Sequence, residues 1–103
     1  MKPAKVKRLR AAGWKVGGAQ ELLGLTDEEA AIVEIRLALA NAVKESRRKR
    51  GLSQAELAQR MRSSQSRVAK LEAGDPSVSL DLLVRALLAA GATRRELRQA
   101  LAA

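Results

Sequence analysis

Apolar residues recur at helical spacing through most of the chain, and turn residues cut that pattern into segments. The longest segment carries Ile32, Ile35, Leu39 and Val43, an i, i+3, i+7, i+11 stripe that predicts one helix from Asp27 to about Arg50. Leu37 lies off the stripe and predicts a second contact face. Thr26 and Glu29 make a capping box at the start, with Asp27 and Glu28 in a first turn where the helix dipole favours negative charge. Arg47, Arg48, Lys49 and Arg50 suit the negative end of the dipole, and Gly51 stops the helix. A helix of about 24 residues spans on the order of 36 Å, longer than its neighbours need for support.

The stretch Ser53–Gly74 predicts two short helices joined by a tight turn. Ser53 and Glu56 form a second capping box, and Leu57, Ala58 and Met61 share one apolar face. Arg62 and Ser63 interrupt the run. Ser64 caps the next helix, whose apolar positions are Val68, Ala69 and Leu71, and Gly74 ends it. Gln65, Ser66, Arg67 and Lys70 occupy the start and one polar side of this helix. Gln pairs bidentately with adenine, Arg and Lys with guanine, and Ser with several base edges. A helix-turn-helix presents the first turns of its second helix to the major groove, so these four are the candidate base readers.

On either side the pattern is simpler. Asp75, Pro76 and Ser77 form a turn, and Ser79 caps a helix with a wide apolar face of Leu80, Leu83, Val84, Leu87 and Leu88. Gly91 ends that helix. Thr93 and Glu96 then cap a last one, which uses Leu97 and Leu101. At the other end, residues 1–13 are basic and lack a periodic face, as in a mobile arm. Residues 14–25 differ. Trp14 and Val16 alternate with Lys15 as in a short extended piece. Gly17 and Gly18 break it, and Ala19 to Leu23 predict a single helical turn. Trp14, Val16, Leu22, Leu23 and Leu25 make this stretch too apolar for a free linker, so it packs on this chain or on a partner. The expectation is an all-α, five-helix bundle with a helix-turn-helix motif over residues 26–103, preceded by a short N-terminal extension.

Composition excludes several chemistries. The chain has neither Cys nor His, which removes thiolate or imidazole metal sites, Cys nucleophiles and His general bases. Glu21, Asp27, Glu28 and Glu29 are dipole and capping residues rather than an acid/base pair. No enzyme, metal or cofactor is expected. No apolar run approaches the roughly 18 residues that span a bilayer, no secretory signal follows the basic start, and absent Cys fits a cytoplasmic location. The net charge of +9 points to a polyanionic partner, because neutralising phosphates releases counterions. Basic residues beside the motif, Arg48 and Lys49, are candidate phosphate contacts.

Residues from about Val43 to Leu88, with the run GLSQAELAQRM followed by SQSRVAKLEAG, resemble the Xre/Cro family of helix-turn-helix domains, whose fold is lambda-repressor-like. The resemblance implies that Gln54 opens the first motif helix near a phosphate, with Arg62 and Ser64 in the adjoining turn. It places Gln65 and Ser66 at base-reading positions, and Arg47 and Glu72 where many members hold a partly buried ion pair. Two departures stand out: the family has Gly where this chain has Arg62, and an apolar residue at Ser63. Together they predict an altered turn. The wider run, WKVG and then ELLGLTDEEAAIVEIRLALA, resembles the HigA-like antitoxins. That likeness implies a dimer that binds its own operator in double-stranded DNA and neutralises a small basic ribonuclease of the RelE/HigB type. The toxin would contact residues 14–25, and the dimer would form around Leu87 to Leu101. A stand-alone Xre-type regulator without a toxin is the alternative.

Overall fold

The computed structural model of the chain describes the backbone of residues 16–102 and the side chains of residues 20–102; residues 1–13 and Trp14 lie outside them. Among the described residues six α-helices follow one another: α1 (Val16–Leu23), α2 (Asp27–Lys49), α3 (Gln54–Arg60), α4 (Gln65–Glu72), α5 (Leu80–Ala89) and α6 (Arg94–Ala102). Among the described residues there is no strand. The chain divides into two compact units, residues 1–35 and residues 36–103.

In the first unit α1 runs through Gly17 and Gly18, where a break was expected. Gly lowers helix stability without forbidding the conformation, and two glycines do not outweigh the turn that follows them. Gln20 donates from Nε2 to Asp27 Oδ1 at 2.9 Å, tying α1 to the start of α2. The capping box there is complete: Thr26 N–H donates to Glu29 Oε1 at 3.0 Å, and Glu29 N–H donates to Thr26 Oγ1 at 3.1 Å. Ile32 and Ile35, expected in the core, are 43% and 37% exposed. Their stripe continues that of Leu39 and Val43, but helical periodicity selects a face and does not supply neighbours along its whole length.

The second unit holds the core. Leu39 and Val43 of α2 pack with Leu57 and Ala58 of α3, Val68 and Leu71 of α4, and Leu83, Ala86 and Leu87 of α5. Leu97 of α6 packs against this cluster half-buried, whereas Leu88 and Leu101 are exposed, contrary to the sequence expectation. Ser53, Ser64 and Ser79 cap α3, α4 and α5, each hydroxyl accepting from a backbone N–H three residues on.

Helices α1 to α5 end alike. In each, the first residue past the helix cap is left-handed, and backbone bonds from it and from the next residue close the last turn. Gly24, Gly51, Gly74 and Gly91 fill that position in four cases; Arg62, at φ 54°, fills it after α3. Ser63 N–H donates to Ala58 O at 2.8 Å, so the turn keeps the glycine-type geometry despite the side chain. A non-Gly residue there costs roughly 1 kcal/mol. Gly91 has a further reason to be glycine: a Cβ would lie 2.7 Å from the Arg50 side chain.

Candidate nucleic-acid interface

The motif is anchored by a buried ion pair. Arg47 Nε lies 2.6 Å from Glu72 Oε2, and Arg47 Nη2 donates to Glu72 Oε1 at 3.0 Å. The side chains are 11% and 3% exposed. Arg47 Nη1 also donates to the carbonyl of Leu52 at 2.7 Å. This fork joins the end of α2 to the end of α4 and the loop before α3, and the Glu72 carboxylate holds the guanidinium pKa above its ordinary value.

Two glutamines extend the pair outward. Gln54 Nε2 donates to Glu72 Oε1 at 3.2 Å, and Gln65 Nε2 donates to Gln54 Oε1 at 2.7 Å. Gln54 and Gln65 are the first residues of α3 and α4. Gln65 therefore has one amide proton committed inside the protein. Its carbonyl oxygen and second amide proton are the acceptor and donor that a bidentate contact with adenine requires. This chain of bonds was not visible in the sequence, because it joins residues 11 and 18 apart that only the fold brings together.

Ser64 caps α4 by accepting from Arg67 N–H at 3.2 Å, and its hydroxyl lies 3.2 Å from that of Ser66. Arg62, Ser64, Ser66, Arg67 and Lys70 line a cleft of about 600 Å³, with Ser77, Val78, Ser79 and Leu82 also on its walls. Ser77 and Ser79 were read from sequence only as a turn residue and a cap. Their place beside Lys70 has no sequence signal. Arg36 of α2 donates from Nη1 to the carbonyl of Val78 and so fixes the loop that bears these serines.

Arg48 and Lys49 do not line the cleft. Arg48 is exposed, and Lys49 lies 4.0 Å from Glu96 with its side chain 70% exposed. Arg50 donates to Glu96 at 3.0 Å and is thereby occupied within the protein. Leu22 is exposed, Leu23 and Leu25 are half-buried, and the backbone of Val16 opens α1. Charge is divided along the chain. Residues 16–35 contain five acidic residues and no Lys or Arg, whereas residues 36–103 contain fourteen Lys and Arg against six Asp and Glu.

Two short helices joined by a tight turn, the second one capped, polar at its start and braced from below, define a helix-turn-helix DNA-binding domain. A family model, HTH_3: Helix-turn-helix, matches residues 43–97, more than half of the chain. The chain belongs to this Xre-type helix-turn-helix family of DNA-binding transcription regulators. No curated protein and no solved structure matches it. No helix among the described residues is long and apolar enough to cross a membrane, and no group of His, Cys, Asp and Glu among them could hold a metal ion.

Proposed function

We propose that this protein is a sequence-specific transcriptional repressor that binds operator DNA as a homodimer. Gln65, Ser66, Arg67 and Lys70 read bases, while Gln54, Arg48, Lys49, Arg62 and Ser64 contact phosphates. The observation that carries the reading is the line of bonds from Glu72 through Gln54 to Gln65, which fixes an amide at the first turn of α4. Two half-sites about 34 Å apart, or a multiple of that spacing, give a dimer the affinity that one motif lacks. The exposed Leu88 and Leu101, away from the motif in sequence, are the apolar side chains available for the dimer surface. Gln65→Ala and Arg67→Ala are expected to weaken operator binding by roughly 1–3 kcal/mol while leaving random duplex nearly unaffected. An unchanged operator-to-random ratio removes these residues from base reading.

The finer reading is an antitoxin that represses its own operon and neutralises a RelE/HigB-like ribonuclease, with Trp14, Val16, Leu22, Leu23 and Leu25 at the toxin surface. It is supported by the acidic stretch 16–35, where Leu22, Ile32 and Ile35 are exposed. A region without cations is ill suited to DNA and complementary to a basic protein. A neighbouring reading frame for a small basic ribonuclease separates this reading from a stand-alone regulator.

A further inference from the structure

We propose that two copies of this chain meet through unlike faces: the stripe Glu28, Ile32, Ile35 on α2 of one copy docks along the stripe Arg94, Arg98, Leu101 on α6 of the other. This rests on the homodimer reading above and names what Leu101 meets in that dimer.

All six side chains are exposed on their own chain. Successive members of each stripe lie three or four residues apart, so each stripe keeps to one helix face and runs for about 10 Å. The far side of α6 is turned inward. Leu97 packs half-buried against the core, and Glu96 accepts from Arg50 Nη2 at 3.0 Å. Arg94, Arg95 and Arg98 are left outward, and none of the three has a hydrogen bond or ion pair through its side chain. The carboxylates of Glu21 and Glu28 are likewise without a partner among the described residues.

The choice of a second copy rests on charge. Over most of its surface a chain of net charge +9 repels its own copy. Residues 16–35 are the exception, with five acids and no cation. A copy approaching there must bring a cationic face with an apolar part. Helix α6 has one, with three arginines in its first five residues and Leu101 one turn beyond Arg98. Laid side by side in the same direction, the stripes match in order. Glu28 meets Arg94, the Arg98 stem lies along Ile32 with its guanidinium in water, and Ile35 meets Leu101. Helix α6 is separate from the helix-turn-helix of α3 and α4, so the base-reading side chains stay free. Such a contact differs from a leucine seam, in which one patch meets its own copy. It also takes up part of the surface that the finer reading gives to a toxin, so toxin and second copy compete there.

The test is sedimentation of the full-length chain carrying Glu28→Lys or Arg94→Glu, each alone and the two mixed. Each variant alone opposes like charges and self-associates at least about tenfold more weakly than the wild type. Mixing the two restores the wild-type mass, because every reversed charge then faces an opposite one. Variants that associate as tightly as the wild type overturn the proposal and move the seam to a leucine-on-leucine contact, with the homodimer still standing. A mixture that stays monomeric overturns it as well. Thermal unfolding checks that both variants are folded. Should either unfold, Glu28→Gln and Arg94→Gln take their place. Each should then weaken association about threefold, and the two combined in one chain no more than either alone; wild-type association in both single variants, or additive losses, refutes the pairing. Wild-type protein that is monomeric at every concentration and binds operator one to one defeats the homodimer reading itself, and is seen before any variant is compared.

Discussion

Replacing Glu72 with Ala tests how far the recognition helix depends on one buried carboxylate. The substitution leaves Arg47, only 11% exposed, with the Leu52 carbonyl as its sole remaining acceptor, and strips Gln54 of its inner partner. Removing one member of a buried pair costs about 3–5 kcal/mol, mostly because the other charge stays desolvated. That is a large share of the roughly 5–15 kcal/mol that stabilises a small domain. At about 4–8 °C per kcal/mol, the melting temperature should fall by at least roughly 12 °C. Arg47→Met should cost a comparable amount, and the double variant Arg47→Met with Glu72→Leu should recover much of both losses, because no charge is then buried alone. A double-mutant cycle by thermal unfolding gives the coupling. Losses that add to within about 0.5 kcal/mol, or single losses below about 1 kcal/mol, refute the argument, since exposed and independent pairs behave that way. A second readout is available below the melting point. With Glu72→Gln the fold survives better, but Gln54 faces a neutral partner, and Gln65 should discriminate less sharply at its base.

Two further predictions concern acidity and the N-terminal segment. Four carboxylates, exposed at Glu29 and Glu56 and half-buried at Asp75 and Glu96, are held below their ordinary pKa: Glu29 by Thr26 N–H, Glu56 by Ser53 N–H, Asp75 by Ser77 N–H and Glu96 by the Arg50 guanidinium. A depressed carboxylate adds stability above its unfolded pKa and loses it as pH falls through the folded value. The melting temperature should therefore stay level from about pH 5 to 8, drop below about pH 4, and drop less in Glu56→Gln and Glu96→Gln, as scanning calorimetry at each pH would show. On the proposed antitoxin reading, deleting residues 1–25 should preserve operator binding and abolish neutralisation of a toxin encoded beside it; protection by the truncated chain would move that surface elsewhere.

Local chemistry was legible in the sequence and long-range chemistry was not. The boxes at Thr26/Glu29, Ser53/Glu56 and Thr93/Glu96 each join residues three apart, and only Glu96 among their carboxylates also accepts from another element, through Arg50. The order of the helices followed from these caps and from the glycines that end four of them. The Arg47–Glu72 pair reached the page only through a family resemblance. Spacing alone does not bring residues 25 apart into contact. The Gln54–Gln65 bond and the Arg36 bond to Val78 had no sequence signal, because each depends on how separate elements pack. The errors of burial have one physical origin. Ile32, Ile35, Leu88 and Leu101 lie on apolar faces that end before a neighbouring element covers them. Amphipathicity records which side of a helix is apolar, and burial also needs something opposite.

Those uncovered residues carry the argument for a partner once ordinary helix physics is subtracted. The dipole of α2 accounts for Asp27, Glu28 and Glu29 in its first turn and for Arg47, Arg48 and Lys49 in its last. It does not account for Glu21, near the end of α1, where negative charge is unfavourable, or for the lack of any cation between residues 16 and 35 in a chain of net charge +9. Ile32 and Ile35 are one helical turn apart on a single face, with Glu28 one turn earlier on the same stripe. Neither DNA nor solvent calls for an acidic face with two exposed isoleucines. On the proposed antitoxin reading a basic protein surface with an apolar centre meets this face, and Ile32→Asp is the substitution that should disrupt such a contact while leaving the core around Leu39 and Val43 intact.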